Sequence, residues 1–419
     1  MLPVRDGDSI QRVLREVVEA LAPLQRTPCS PGEREAAEWL AARLSAVEGV
    51  SVSIEDEPSW GTFPPTSTGL ALLGTVGAGV ALRGRRALGS ALTLASLAGL
   101  LDEAQNGPRV LRRLIRRRRQ TANVVARTGD QEAIDTLVVI VHHDAPQTGL
   151  VFDQTLLKFA WERSPERMGR AKRSLPQWWV GLAAPAGALL SALTGRRAPA
   201  AAGLAVGAIG TALIADMWRS PTVAGANDNL SGVAALVALA ELLATERVEG
   251  LRVMLVSCGA EETLQDGIRA FVARHRDALP PERTTFVNLD TVGSPHLILV
   301  EGEGPFWMEP YTGPWLSDLV AAAADRLGVP LERGFTARSS TDSVIPSRAG
   351  YPTTTLVSIT DWRAPANYHL LSDVPENLDY GTVEQATRVV ELVARELAAR
   401  ARPGAAARSA DAEGSPLPS

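Results

Sequence analysis

Apolar residues recur at helical spacing at Ile10, Val13, Leu14, Val17, Val18 and Leu21, and again at Ala36, Leu40, Ala41 and Leu44. Residues 8–24 and Pro31–Leu44 are therefore expected to form two amphipathic helices around the turn Thr27–Gly32. Val50–Ile54 then alternates like a short strand. Further along, Asn123–Arg127, Thr136–His142, Leu251–Ser257, Thr284–Leu289, Leu297–Val300 and Thr353–Val357 are short β-rich runs, several wholly apolar as buried central strands are. Between and after them the pattern predicts helices over Leu230–Ala244, Gly267–Arg276, Pro314–Leu327 and Thr382–Ala401. This alternation implies the α/β class, with a mixed, largely parallel sheet flanked by helices on both faces. One domain over residues 1–401 accommodates it, and the Pro-, Gly- and Ala-rich residues 402–419 read as a disordered tail.

Two stretches break the pattern. Gly61–Leu82 and Ala87–Leu101 carry no charge and are separated by Arg83-Gly84-Arg85-Arg86; Ser174–Gly195 and Ala198–Ala215 repeat the plan around Arg196-Arg197. They are expected to form two apolar helical hairpins, at 61–101 and 174–218, that interrupt the domain. A spanning helix needs about 20 apolar residues, within a range of about 17 to 25, so two runs qualify by length and two are marginal. Recurrent Gly and Ala suit close packing inside a bilayer. A soluble Gly/Ala-rich insertion and a hairpin that dips without crossing are the other readings. Basic residues concentrate on the side of the main domain, at Arg109–Arg119, Lys158–Arg173 and Arg219, against five arginines at the hairpin tips. That asymmetry places the main domain on the cytoplasmic side of a membrane. The run Arg112–Arg119 fits contact with anionic lipid head groups, with a nucleic-acid patch as the alternative.

Composition narrows the choice. The 419 residues carry a formal net charge of -5, so a nucleic-acid-binding surface is not expected. Cys29 and Cys258 form no zinc-ribbon or redox motif. Met1–Asp8 lacks the apolar stretch of a cleavable signal. Only five histidines are available to a metal site: His142, His143, His275, His296 and His369.

In open α/β sheets ligands bind beyond the carboxyl ends of the strands. Here one strand ends in His142-His143-Asp144, another runs into Glu261-Glu262, and a third ends in Asp290. A fifth carboxylate, Asp228, sits in Gly225-Ala-Asn-Asp-Asn-Leu-Ser-Gly232, at the junction between a loop and a helix, where an Asp is commonly an N-cap. Taken one at a time these residues are ordinary turn, cap or surface positions. Together with His369 they offer the imidazole and carboxylate donors that zinc accepts, and a bridging carboxylate suits a pair of metals.

The series His142-x-Asp144, Gly225–Gly232, Ala260-Glu261-Glu262, Asn288-Leu-Asp290 and Asn367-Tyr368-His369-x-x-Ser-Asp373 resembles the M28 family of dinuclear zinc aminopeptidases and carboxypeptidases, in that family's order. The resemblance covers nearly everything outside the hairpins and the tail. It implies a zinc-exopeptidase-like fold and two zinc ions per chain, bridged by Asp228. Glu262 and His369 would complete one site, and His142 and Asp290 the other. Glu261 would be the general base, and Asp144 would orient His142. Tyr368 matches a tyrosine that helps hold an oxyanion in some members, though packing accounts for it equally well. His143 stands where many members carry Tyr, and Thr263–Gly267 departs from the usual pattern.

The implied function is an exopeptidase, of aminopeptidase type, acting on a peptide or small amide and associated with a membrane through its hairpins. A glutaminyl cyclase, a hydrolase of acylated small amines, and a non-catalytic membrane-anchored binding protein are the alternatives; an intact Glu261 counts against the last.

Overall fold

The structure is a computed structural model that describes residues 7–401. The expected tail, 402–419, and the first six residues of the segment read as lacking a signal lie outside the described residues.

In chain order the elements begin with α1 (Gly7–Leu21), α2 (Pro31–Ser45) and β1 (Ser51–Ser59), followed by α3 (Pro64–Leu82), α4 (Arg86–Ala104) and α5 (Val110–Ile115). Next come β2 (Arg119–Gly129), β3 (Thr136–His142), α6 (Thr155–Arg163), α7 (Pro165–Gly169), α8 (Ala183–Thr194) and α9 (Ala198–Arg219). The rest is α10 (Ser231–Thr245), β4 (Arg252–Cys258), α11 (Asp266–His275), β5 (Thr284–Leu289), β6 (His296–Glu303), β7 (Glu309–Pro310), α12 (Pro314–Leu327), β8 (Leu331–Ala337), α13 (Val344–Arg348), β9 (Thr353–Ile359) and α14 (Tyr380–Ala401).

One mixed sheet runs β1-β2-β4-β3-β5-β9-β6-β7, with β8 paired to β6. Its centre, β4-β3-β5-β9, is parallel, and antiparallel pairs flank it on both sides. Every residue of β3, β5 and β9 is buried, which explains their unbroken apolar and Thr-rich sequences. On one face the main core joins α1, α2, α10, α12 and α14 to the sheet through Leu14, Leu40, Leu236, Val320 and Val390. On the other, α11 and α13 cover Val138, Ile140 and Val256 through Phe271 and Ile345. The α/β class with helices on both faces is as expected. Hydrophobic patterning missed two strands: β7, only two residues long, and β8, which pairs only with β6, through an irregular register, and whose Glu332 and Arg333 belong to a polar edge.

The two expected hairpins pack on each other as one bundle of α3, α4, α8 and α9. Small residues allow the approach. Between the hairpins, a Cβ on Gly207 would lie 2.9 Å from Thr75 Oγ1; within them, one on Gly187 would lie 2.7 Å from the Cα of Gly203, and one on Gly89 would lie 2.6 Å from the carbonyl of Gly77. The two tips meet where Arg86 donates to the carbonyl of Gly195. Outward, Leu72, Val76, Leu193 and Ile209 are exposed.

By length and composition α3, α4 and α9 could cross a membrane. The third apolar run does not form one such helix. α8 has 12 residues, about 18 Å against a hydrocarbon core of about 30 Å. The turn preceding it is tied to the domain by the Trp179 indole, which donates to Pro305 O at 2.9 Å. Ala226–Thr245 also passes the length and hydropathy test, but 83% of that window is buried, so α10 belongs to the α/β core.

The basic run after the first hairpin is only partly available to lipid head groups. Arg109 and Arg112 are buried, paired with Asp266 and Glu103 respectively, and Arg112 also donates to the carbonyl of Thr263. They fasten the hairpin to the loop that follows β4. Arg113 and Arg117–Arg119 remain exposed. Arg112→Ala would strand Glu103 as a buried, unpaired carboxylate, and is expected to cost about 3–5 kcal/mol. Thermal melting in detergent checks this: the single variant should melt well below wild type, and a double change of both residues to Leu should recover much of the loss.

Candidate metal centre

Three neighbouring parallel strands deliver side chains to one end of the sheet. β3 ends at His142, the chain leaving β4 turns through Ala260 (φ 54°) into Glu261 and Glu262, and β5 is followed by Asp290, whose N–H donates to Leu356 O of β9 at 3.1 Å. His369 (φ 54°) comes from the loop after β9. The pleat separates the two adjacent histidines. His143 is fully buried, with its Nδ1 2.9 Å from Ser257 Oγ, and is not part of the donor cluster formed around His142.

Asp228 lies between two imidazoles, with Oδ1 3.3 Å from His142 Nε2 and Oδ2 3.1 Å from His369 Nε2. The Glu262 carboxylate lies 3.4 Å from the same His369 nitrogen. Donor atoms of His142, Asp228 and Asp290 lie within 4.8 Å of one another, as do those of Asp228, Glu262 and His369, and those of His142, Glu261 and Glu262. Asp228 is shared by the first two groups. The structure thus brings together every residue singled out as a donor in the sequence. Tyr368 joins them at the edge, its ring 4.1 Å from that of His369 and edge-on to Phe152 at 5.8 Å.

Asp228 is not a helix cap. That task falls to Asn229, whose Oδ1 accepts the N–H of Gly232 at 3.1 Å and of Thr291 at 3.1 Å, so it caps α10 and ties it to the Asp290 loop. Asp228 is positioned through its backbone: Asp373 accepts the N–H of Asn227 at 2.7 Å and of Asp228 at 3.2 Å. Asp144 likewise accepts the N–H groups of Glu261 and Glu262, each at 3.0 Å, while one of its oxygens stays 3.5 Å from His142 Nδ1. Its main contacts therefore set the two glutamates, in addition to facing the imidazole it was expected to orient.

Several supports lie outside the donor motifs. Buried Arg26 donates to His143 O, Leu21 O and Ala224 O, clamping the loop after β3 to the one that carries Asp228. Glu33 accepts from Cys29 N, Thr121 Oγ1 and Ala260 N, fixing the turn before the glutamates. Gln265 donates to Glu261 at 2.6 Å. Of these only Glu33 had a signal, as the fourth residue of Ser30-x-x-Glu33, a capping-box pattern. Ser30 Oγ does accept Glu33 N–H, but the carboxylate is turned inward.

The donor set fits a cation on two grounds. Asp228 Oδ2, His142 Nδ1 and both ring nitrogens of His369 are buried without a hydrogen bond, a costly state unless something binds them. The electrostatics also lean one way. Burial, and then neighbouring carboxylates, push Glu262 up and Asp290 to about 7, and hold Glu261 well above the usual carboxylate range despite His142. Burial alone would depress both histidines, yet Asp144 and Asp228 keep His142 well above normal, and Glu262 and Asp228 push His369 up to about 10. Clustered negative charge thus holds protons that a metal would displace.

Residues 209–394 match the model of Peptidase family M28. His142 and Asp144 precede that segment, and the fold brings them to it. No curated protein sequence matches the chain. Similar solved structures include an aminopeptidase from Aneurinibacillus (13% identity, TM-score 0.52, covering 91% of this chain and 92% of that one). A Zn-dependent exopeptidase from Parabacteroides distasonis is 14% identical (TM-score 0.53, 94% and 99% covered). The glutaminyl cyclase of Fimbriiglobus ruber is 16% identical (TM-score 0.53, 92% and 94%). At these identities the likeness is one of fold.

Zinc binding should release protons and tighten as pH rises. His369 keeps its proton to about 10 in the metal-free protein, whereas zinc requires the neutral ring, so each step down in pH makes the proton a stronger competitor. Calorimetric titration with Zn²⁺ in two buffers of different ionisation enthalpy measures this; no proton release at neutral pH would contradict it.

Proposed function

We propose, on the premise that residues 209–394 belong to peptidase family M28, that the chain hydrolyses amide bonds as a zinc-dependent exopeptidase of aminopeptidase type. The observation that carries this reading is the Asp228 carboxylate lying between His142 and His369, with Glu261 at the same cluster. His142, Asp228 and Asp290 would hold one zinc, and Asp228, Glu262 and His369 the other. When bound, the ions supply Lewis-acid polarisation of the scissile carbonyl and a water acidic enough to attack near neutral pH.

The chain's own residues supply the rest. Glu261, a buried carboxyl with a raised proton affinity, takes a proton from the attacking water and delivers it to the departing nitrogen. Gln265 anchors one of its oxygens. Asp144 fixes Glu261 and Glu262 through consecutive backbone N–H groups, which sets the spacing between proton shuttle and ligand. The Tyr368 ring, stacked on His369 at the rim, would present its hydroxyl to the oxygen that gains charge. A free α-amine on the substrate would meet the carboxylates around the cluster, which favours removal of an N-terminal residue.

The glutaminyl cyclases among similar folds support a second reading, intramolecular attack by an N-terminal glutamine amine with release of ammonia. Peptides beginning with glutamine separate the two, since hydrolysis frees an amino acid and cyclisation frees ammonia.

Glu261→Gln should lower kcat by about a hundredfold to ten-thousandfold while zinc content stays at the wild-type value. Steady-state assay of aminoacyl anilides, with metal analysis, tests it. Retained activity in the variant, or zinc loading with no amide hydrolysis by wild type, would contradict the proposal.

A further inference from the structure

The donor cluster opens into a cavity of about 540 Å³ that does not stop at the α/β domain. His142, Glu261, Glu262 and His369 line one part of it, and the hairpin bundle lines another, through Leu100 of α4 and Leu213, Ile214 and Met217 of α9. The sheet contributes Ile298, Val300, Phe335 and Val357, from a small apolar cluster of its own. Two charged lining residues are already engaged: Arg363 holds Glu332 with both terminal nitrogens, at 2.8 and 2.7 Å, and Glu303 accepts from Thr341. At the mouth, Leu156 of α6 is 81% exposed and Leu175 is 56% exposed, and both also line the cavity. Apolar side chains therefore stand open where the cavity meets the surface, beside a helix whose outer face, at Val206 and Ile209, is also apolar and exposed. A water-borne peptide needs no such approach. A hydrocarbon chain leaving a bilayer does, because it would be covered throughout its transfer.

We propose that the scissile amide belongs to an amphiphile, whose hydrocarbon chain enters from the bilayer between α6 and α9 and lies in this cavity with its carbonyl at the cluster. The proposal rests on the amide-hydrolase reading above and names its substrate class. In the reaction the oxygen of water bonds to the carbonyl carbon and the carbon–nitrogen bond breaks. A proton of the water passes by way of Glu261 to the nitrogen, leaving a carboxylic acid and an amine.

The test uses the full chain, zinc-loaded, in lipid nanodiscs. Two substrate series are compared with leucyl peptides: N-acetyl, N-octanoyl and N-palmitoyl glycine, and leucyl amides of short and long alkylamines. In at least one series kcat/KM should climb with chain length, by up to about fourfold per buried methylene until the cavity is full. Ile214→Trp, which fills the cavity wall, should lower the ratio of long-chain to short-chain kcat/KM by about tenfold or more. A flat response in both series, or leucyl peptides outrunning every long-chain amide, overturns the proposal. A second readout does not depend on turnover. A long-chain amide brominated along its chain should quench tryptophan fluorescence in Glu261→Gln, and Trp178→Phe should diminish that quenching, because Trp178 lines the cavity. Absence of Trp178-dependent quenching overturns the proposal even if peptides are cleaved. Quenching without hydrolysis of any amide supports the cavity assignment and rejects the hydrolase reading instead.

Discussion

Everything at this site turns on the cost of placing four carboxylates and two imidazoles together out of water. Asp228, Glu261, Glu262 and Asp290 crowd around His142 and His369, and all six are largely shielded from solvent. Such an arrangement repels itself unless positive charge is shared among its members. The surrounding structure accordingly devotes rigid, buried groups to keeping the donors apart by fixed amounts. Asp373 grips the Asp228 backbone, Asp144 grips the Glu261–Glu262 backbone, and Arg26 and Glu33 brace the loops behind them. The helix and strand framework supplies stiffness, while these polar braces supply geometry, and each would be costly to leave unsatisfied.

The framework was legible in the sequence because its physics is periodic. The central strands read as apolar runs because both faces of the sheet are covered, and α1 and α2 read as helices because one face of each meets the core. β8, with Glu332 and Arg333 on an edge, carries no such period. The donors were legible because chemistry restricts them to His and carboxylates at the ends of strands. Their supports were not. Arg26 is a lone basic residue in a turn, and nothing local says that its guanidinium is buried against the carbonyl of Leu21 and those of His143 and Ala224 from two distant loops. The capping reading of Asp228 was one residue out. Asn229 has the same short polar side chain, and only the three-dimensional placement of Gly232 and Thr291 decides which of the two caps α10.

The hairpins show a similar boundary between composition and geometry. Uncharged runs located them, yet composition could not separate α9, of whose apolar window 22% is buried, from α10, which is as apolar but enclosed. Nor could it show that two hairpins distant in sequence form a single bundle, since that follows from the close passage of α3 and α9, where Gly207 faces Thr75 and the hydroxyls of Thr75 and Thr211 lie 3.1 Å apart. The bundle is joined to the donor cluster twice: through Arg109, paired with Asp266, and Arg112, which holds Glu103 of α4 and donates to the carbonyl of Thr263, and through α9, which lines the cavity and leads directly into the Asp228 loop. Bundle and donor cluster are thus one mechanical unit, which gives a reason for an insertion between His142 and Asp228.

The proposed site stands or falls with the sharing of Asp228 between two metal ions. Metal content of the purified chain, by mass spectrometry after zinc loading, tests it most directly when wild type is compared with Asp228→Asn and Asp290→Asn. Wild type should hold two zinc ions, Asp290→Asn should retain one, and Asp228→Asn should lose both. A wild type that binds a single ion, or an Asp228→Asn protein that keeps two, would contradict it.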